Sequence, residues 1–184
     1  YGMHYEIVVA DDCSTDRSYV RSNSVIECWN NVRYLKLDHN LGRSAVRNLL
    51  AREARHEWLV FIDGDLAVDR PDFVEKYALS EGDVVVGGTA IGGDAKLWHN
   101  NLRYLYEKRC EPAHSAQQRM RLANREFRTT NFLVSRSAVI ANPFDEAFKH
   151  YGYEDVLFGK QLTASGHAIN HIDNPVLIDD YESN

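Results

Sequence analysis

The chain has 184 residues, of which 44% are hydrophobic and 26% are charged, and its formal net charge is −6. These values are typical of one soluble globular domain, and the acidic balance argues against a general nucleic-acid binder and against an electrostatic membrane anchor. No apolar run approaches the length of a transmembrane helix. The three cysteines lack metal-ligand spacing and are typical of free thiols in a reducing compartment.

The first half of the chain alternates predicted strands and helices. Apolar runs predict strands over residues 6–10, 32–37, 58–62 and 83–87, and helical spacing predicts helices over about 14–26, 45–54 and 73–78. The second half predicts a helix over 96–110, a strand over 130–135, a helix that opens at 152–155 and a strand over 168–172. This order predicts an α/β fold with a mainly parallel sheet and helices on both faces.

One predicted strand runs directly into a pair of acids. The apolar run Trp58–Ile62 predicts a buried strand, and Asp63 and Asp65 follow it at the edge where open α/β sheets bind ligands. Gly64 between them is expected to allow a sharp turn and the close approach of a ligand. Two carboxylates separated by one residue repel each other, which costs free energy. A hard cation such as Mg²⁺ or Mn²⁺ would remove that cost. The alternative is an ordinary polar junction between a strand and a turn.

Two further acidic groups occupy comparable places. Asp11 and Asp12 follow the strand over 6–10, and parallel strands bring their carboxyl ends to one rim of a sheet. Glu154 and Asp155 lie at a predicted helix N-terminus, where the helix dipole alone would also favour acids.

Between residues 115 and 128 the chain is basic and polar. Its arginines fit either a solvated helix face or a mobile segment that meets phosphate or an acceptor; they are Arg119, Arg121, Arg125 and Arg128.

Six motifs follow one another along almost the whole chain. They are EIVVADDCSTD at 6–16, NLGRSAVRN at 40–48, WLVFIDGD at 58–65, TTNFLVSR at 129–136, FDEAF at 144–148 and GYEDVLFGKQL at 152–162. In this order and spacing they resemble family 2 glycosyltransferases with the GT-A fold. Each motif alone is a weak signal, and the six together are specific.

The resemblance implies an inverting, metal-dependent hexosyltransferase of polysaccharide biosynthesis. Such an enzyme moves a sugar from a nucleotide-sugar donor, here expected to be a UDP-sugar, to a hydroxyl of a glycan or lipid-linked acceptor. It implies one GT-A domain over residues 1–184, with a nucleotide-sugar-binding half (1–90) and an acceptor-side half (91–184). A cytoplasmic location is expected, either free or peripheral at the inner face of the membrane.

The resemblance also implies roles for individual residues. Asp12 corresponds to the carboxylate that contacts the base, supported by Asp11, and Arg43 to a basic residue that contacts the nucleotide, with Arg47 as a rival. Asp63 corresponds to the ribose-side acid of the DxD metal motif, and Asp65 to the carboxylate that binds Mn²⁺ or Mg²⁺ on the diphosphate. Asp155 corresponds to the catalytic base, with Glu154 as its neighbour. The chemistry agrees, because an acceptor hydroxyl needs a carboxylate to take its proton.

The sequence departs from the family pattern in two places. The usual first strand, which lies in the middle of the sheet, is missing before residue 6, and a sheet without it would expose backbone edges. The histidine that often follows the Asn-Pro-Val turn is also missing. His171, Asp179 or Asp180 could replace it as a metal ligand, although a lone histidine such as His171 is more often structural.

Two other functions are weighed against the transferase. The first is a truncated or degenerate GT-A domain that binds nucleotide or a partner without turnover, which the missing strand keeps open. The second is a phosphatase that resembles haloacid dehalogenases, with Asp63 as the nucleophile. Against it, Leu66 and Ala67 stand where a Gly-Thr pair is expected.

Overall fold

The computed structural model describes residues 4–122, 127–148 and 152–181. The strands are β1 (Ile7–Asp11), β2 (Val32–Lys36), β3 (Trp58–Ile62), β4 (Val84–Val86), β5 (Thr89–Ile91), β6 (Asn131–Ser135), β7 (Ile169–His171) and β8 (Val176–Ile178). The helices are α1 (Arg17–Asn23), α2 (Arg43–Glu53), α3 (Phe73–Ala78), α4 (Ala95–Trp98), α5 (Leu102–Cys110), α6 (Ala116–Met120), α7 (Arg136–Ala141) and α8 (Glu154–Ala164). Short 3-10 helices cover Ser24–Cys28 and Glu111–His114.

Every strand predicted from an apolar run is present, with shifts of one or two residues at its ends. The short strands β5 and β8 were not predicted. The single helix predicted over 96–110 is wrong, because the chain forms α4 and α5 with a break between them. Asn101 lies in that break and caps α5, since its side chain accepts a hydrogen bond of 3.0 Å from the backbone N–H of Tyr104.

The strands pair mostly in parallel, as predicted. β1 pairs with β2, β4 with β7 and β5 with β8 in parallel, while β4 and β6 are antiparallel. The described residues form a four-stranded sheet of order β3-β6-β4-β7 and two two-stranded sheets. None of the helices in these residues is both long and apolar enough to cross a membrane.

The chain divides into two compact units. The first consists of the described parts of Tyr1–Leu59 and Ser135–Glu154. Its helix α2 is fixed to the segment around Phe144 by the buried side chain of Asn48. The Nδ2 of Asn48 donates to the carbonyl of Phe144 and to Glu146, each at 2.9 Å, and its Oδ1 accepts from the backbone N–H of Phe144 at 2.9 Å. One carboxamide therefore joins the NLGRSAVRN and FDEAF motifs.

The second unit consists of the described parts of Val60–Val134 and Asp155–Asn184. Its core is a cluster of apolar side chains from α3 and the surrounding strands: Phe73, Tyr77, Val85, Leu133 and Val176. A second group of rings stacks or packs edge to face: Phe61, Phe127, Phe132 and Phe158. Burial of these side chains is the main term that stabilises the unit.

Strand β3 is not buried as its apolar sequence predicts. Phe61 is buried, but the side chains of Trp58, Val60 and Ile62 are 54%, 38% and 39% exposed. Alternate residues of a strand point to opposite faces, so these three share one face. An apolar run predicts burial on both faces, whereas in the described structure only the face of β3 that carries Phe61 is covered.

Candidate functional site

The first predicted acidic group lies in the loop that leaves β1. The carboxylate of Asp12 accepts hydrogen bonds from the backbone N–H groups of Leu41 at 2.7 Å and Gly42 at 2.9 Å. The Nδ2 of Asn40 donates to the carbonyl of Asp12 at 3.1 Å. Because β1 and β2 are parallel, the loops that follow them meet at one edge. Asp12 therefore fixes the entry to α2.

Asp11 supports this loop from inside the protein. Its carboxylate is 5% exposed and accepts hydrogen bonds of 2.7 Å from the backbone N–H of Ser14 and from the hydroxyl of Tyr34. Burial by itself would raise the pKa of Asp11, but these hydrogen bonds oppose it and hold the pKa below its usual value. Burial and the neighbouring Asp11 carboxylate raise the pKa of Tyr34. Asp11 is thus held ionised by protein groups.

The two rival arginines of α2 lie in different environments. Arg43, the first residue of α2, is exposed. Arg47 is buried; its Nη1 lies 3.8 Å from Oε1 of Glu154, and its guanidinium lies 5.7 Å from the centre of the Phe144 ring. An arginine committed to a buried ion pair and a ring is poorly placed to meet a nucleotide. The contact of Arg43 with the nucleotide, with Arg47 as its rival, stays a prediction.

Glu154 and Asp155 open α8 and make different contacts. Glu154 is 7% exposed, and besides facing Arg47 it accepts a hydrogen bond of 3.2 Å from the backbone N–H of Gly152. Asp155 is half-buried, and its Oδ1 accepts from the N–H of Val156 at 2.7 Å. The helix dipole favours acidic residues at a helix N-terminus. Asp155 as the base and Glu154 as its neighbour stay predictions.

The Asp63, Gly64 and Asp65 segment (the DGD turn) follows β3 directly. Asp63 is half-buried, and its backbone N–H donates to the carbonyl of Thr130 at 3.2 Å, while Asp65 is exposed. Gly64 does not have a positive φ, and a Cβ added there would meet nothing within 4 Å. The turn at this position thus does not depend on a left-handed backbone conformation of Gly64. The open space leaves room for a ligand close to the backbone.

A divalent cation is compatible with this donor set. Within the described residues, no group of three or more histidine, cysteine, aspartate or glutamate side chains is arranged to hold a metal. Mg²⁺ and Mn²⁺ do not need such a group, because they take one or two carboxylates and complete their shell with water and substrate phosphate oxygens. Asp63 and Asp65 fit this requirement.

The three candidates for an additional ligand differ in environment. His171 is buried, and its Nδ1 accepts a hydrogen bond of 3.1 Å from Nε of Arg119, which favours the structural role for this histidine. Asp179 and Asp180 are exposed.

The sequence did not predict the contacts of two residues, Asn131 and Arg119. Asn131, fully buried, accepts from the hydroxyl of Tyr77 at 2.6 Å and donates to the carbonyls of Gly88 at 2.9 Å and Asn174 at 2.7 Å. Arg119 was assigned only to a basic segment, yet it is buried. The one available signal was the position of Asn131 within the TTNFLVSR motif. Arg125 of the same basic segment lies outside the described residues.

The contrast between the two arginines of α2 is testable by substitution. We expect Arg47→Met to lower the free energy of unfolding by about 3 kcal/mol, because it leaves the Glu154 carboxylate buried without the guanidinium. Arg43→Met should change it by less than about 0.5 kcal/mol, as exposed substitutions usually do. Urea unfolding followed by circular dichroism measures both. The double variant Arg47→Met/Glu154→Leu should recover part of the loss, and equal stability of the two single variants would contradict the assignment.

The contacts of Asp11 predict a pH dependence of stability. Its pKa in the folded state is depressed, so the ionised carboxylate stabilises the fold above the unfolded value near 3.8, and this contribution is lost as the pH falls through the folded pKa. We expect Asp11→Asn to cost about 1 kcal/mol at pH 7. The difference from the unaltered chain should shrink below pH 4 in urea unfolding at a series of pH values. Asp69→Asn, at an exposed position, is the control, and a difference that does not depend on pH would refute the prediction.

The chain is similar to known proteins both in sequence and in fold. Its sequence matches the family model described as Glycosyl transferase family 2 over residues 1–142. No curated protein sequence matches it. Among solved structures it is similar to S. aureus TarS 1-349, with a TM-score of 0.59 and 19% identity over 95% of this chain and 51% of that chain.

Two further structures have the same likeness. The mannosyltransferase PcManGT from Pyrobaculum calidifontis, in complex with GDP-Man and Mn²⁺, gives a TM-score of 0.59 and 18% identity over 94% of this chain and 47% of that chain. GalNAc-T7 with UDP, GalNAc and Mn²⁺ gives 0.58 and 16% identity over 94% of this chain and 36% of that chain.

The chain thus spans about half of the length of these proteins, or less, and the structural likeness concerns the fold. It confirms the predicted α/β class of GT-A type. Because the family model covers most of the sequence, the chain belongs to glycosyltransferase family 2.

Proposed function

We propose that this chain is a GT-A domain that transfers a hexosyl group from a nucleotide-diphosphate sugar, most simply a UDP-sugar, to an acceptor hydroxyl with inversion. The observation that carries the proposal is the DGD turn of a family 2 chain, which directly follows β3 and leaves Asp65 exposed. Two structures of similar fold support it, since PcManGT is in complex with GDP-Man and Mn²⁺ and GalNAc-T7 with UDP, GalNAc and Mn²⁺.

Donor recognition is proposed for four acidic and basic residues. Asp12 would contact the base and exposed Arg43 the charged part of the nucleotide, while Asp11 holds the loop. Asp63 would face the ribose. These roles use groups whose positions are already fixed by backbone contacts: the amides of Leu41 and Gly42 at Asp12, and the carbonyl of Thr130 at Asp63.

Asp63 and Asp65 are the residues that would hold a Mn²⁺ or Mg²⁺ ion. When bound, such an ion neutralises the charge that develops on the leaving nucleoside diphosphate. Asp65 is exposed, so its carboxylate would share such an ion with a substrate phosphate at a small cost in desolvation.

The transfer itself needs one base. The acceptor oxygen forms a bond to the anomeric carbon while the bond from that carbon to the diphosphate oxygen breaks, and the hydroxyl proton passes to Asp155. One direct displacement inverts the anomeric centre. Glu154 precedes this base in the sequence, and Arg47 balances part of its charge. The ion pair thereby reduces the repulsion between two consecutive carboxylates.

The acceptor is proposed to be a glycan or a lipid-linked sugar, as part of polysaccharide biosynthesis in the cytoplasm or at the inner face of the membrane. Residues 1–90 would serve mainly the donor and 91–184 mainly the acceptor.

Calorimetric titration of UDP, with Mn²⁺ and with EDTA, tests the nucleotide site. We expect binding that requires Mn²⁺ and that weakens at least about tenfold in Asp65→Asn, because one of two proposed metal ligands loses its charge. The matched control is Asp69→Asn, an exposed aspartate outside the turn, which should bind like the unaltered chain. GDP, CDP and dTDP are titrated in the same way. Absence of metal-dependent binding for all four nucleotides would contradict the proposal.

Substitution of the proposed base separates chemistry from binding. We expect Asp155→Asn to lower the rate of nucleotide-sugar turnover by about 10² to 10⁴ and to leave the affinity for the nucleotide unchanged, because only proton transfer is removed. Asp69→Asn again serves as the control. An unchanged rate in Asp155→Asn would refute the assignment, and nucleotide binding without turnover in the unaltered chain would favour the binding domain instead.

A further inference from the structure

The apolar side chains of α4 and α5 are exposed to solvent. Leu97 in α4 is 68% exposed, and in α5 Leu102, Leu105 and Tyr106 are 71%, 46% and 66% exposed. The three residues of α5 share one face of the helix, since positions three and four apart lie side by side. A surface helix normally turns its apolar face toward the core. An apolar face turned the other way indicates a surface that contacts something else.

Aromatic contacts on the opposite side of α5 fix this orientation. Tyr104 is buried, and its ring packs edge to face on that of Tyr181, with 5.3 Å between the ring centres. The ring of Trp98 in α4 lies 5.4 Å from the same Tyr181 ring. Leu102 and Tyr106 lie on the side of α5 opposite to Tyr104, because each is two residues away from it. Burial of Tyr104 against Tyr181 therefore turns both of them outward.

The same stretch of chain is rich in basic residues. Between residues 95 and 110 there is a single acid, Glu107. The basic residues of this stretch are all exposed: Lys96, Arg103, Lys108 and Arg109. The whole chain has a net charge of −6, so the sign of the charge is reversed here. Charges more than about 8 Å apart are largely screened at physiological ionic strength, so the local charge decides what this surface attracts.

One of these cations lies on the apolar face itself. Arg109 follows Leu105 by four positions and Tyr106 by three, which places it beside them on α5. A guanidinium among apolar side chains is costly to bury against another protein unless a partner charge meets it there. At a lipid surface its methylene stem can stay among apolar groups while the charged end reaches the phosphates.

A second copy of this chain would fit the surface poorly. A twofold symmetric interface brings the same patch of both chains together, so the basic residues of one copy would face those of the other. Like charges across an interface are unfavourable. An anionic bilayer has the complementary charge, and helices with leucine on one face and lysine or arginine around it lie in the plane of such bilayers.

We propose that the exposed leucines and Tyr106 of α4 and α5, together with Lys108 and Arg109 (the lipid-facing surface), dock on an anionic lipid bilayer. The apolar side chains enter the boundary between headgroups and acyl chains, and the basic side chains contact lipid phosphates. Docking would hold the second compact unit where a lipid-linked acceptor is found. That use of the surface, unlike the docking itself, rests on the proposed function.

Co-sedimentation with vesicles of equal parts phosphatidylcholine and phosphatidylglycerol tests the proposal, with pure phosphatidylcholine vesicles as the comparison. The test variant is Leu97→Gln/Leu102→Gln. The matched control is Val74→Gln/Leu79→Gln, which replaces two exposed apolar residues at α3. We expect binding to the anionic vesicles that weakens at least about tenfold in the test variant, because two inserted leucines are lost, and that is unchanged in the control.

A second pair of variants tests the contribution of charge. Lys108→Gln/Arg109→Gln should weaken binding to the anionic vesicles about tenfold, whereas Arg17→Gln/Arg21→Gln, at exposed positions of α1, should not change it. Added salt should weaken the binding of the unaltered chain. Absence of binding, equally strong binding to pure phosphatidylcholine, or equal effects in the test and control variants would overturn the proposal.

Sedimentation velocity without vesicles examines a second copy as the occupant. We expect the unaltered chain and Leu97→Gln/Leu102→Gln to sediment alike. A dimer of the unaltered chain that dissociates in this variant would show that a second copy covers the surface, and it would overturn lipid docking.

The vesicle experiments are done in EDTA without nucleotide, so that their result does not depend on the nucleotide site. Vesicle binding by a chain that binds none of the four nucleotides would overturn the proposed function and still support docking. Metal-dependent nucleotide binding by a chain that does not bind the vesicles would overturn docking alone.

Discussion

The buried carboxamide of Asn131 is the constraint on which the second unit depends. It satisfies the hydroxyl of Tyr77 on α3 and the carbonyls of Gly88 and Asn174, so it joins a helix, the link after β4 and the turn before β8. Such a network stabilises one arrangement strongly, because loss of any member leaves buried polar groups unsatisfied. Gly87 completes it, since a Cβ at this position would collide with Asn131 and Tyr77.

The link after β4 in turn determines which chemical groups lie at this edge of the sheet. The N–H of Gly87 donates to the carbonyl of Asn131 at 3.0 Å, and the next residue, Gly88, packs on Arg119. On the neighbouring side, Thr130 positions the backbone of Asp63. The backbone positions of Gly88 and Asp63 are thus set by backbone contacts, which cost less conformational entropy to maintain than contacts between flexible side chains.

Much of this architecture was predictable, and the reasons for the misses are physical. Strands were found because an apolar run of about five residues has few other interpretations, as in Trp58–Ile62. The exposure of Trp58 was not predictable, since burial depends on what covers each face. The partners of Asn131 were equally hidden, because Tyr77 and Gly88 lie 54 and 43 residues away in the sequence. The periodicity of apolar residues shows which face of a helix or strand is apolar. It carries no information on hydrogen bonds between polar residues so far apart in the sequence.

The predicted acids also differ in a way that only contacts can reveal. Asp11 is buried and accepts hydrogen bonds from Ser14 and Tyr34, and Asp12 accepts hydrogen bonds from the backbone at the start of α2. Asp65, by contrast, is exposed. A carboxylate that keeps its hydration can exchange water for a metal or a phosphate-bound ion without first breaking protein hydrogen bonds. For this reason the loop after β1 is suited to fix the shape of a binding surface, whereas the DGD turn is suited to be completed by what binds there.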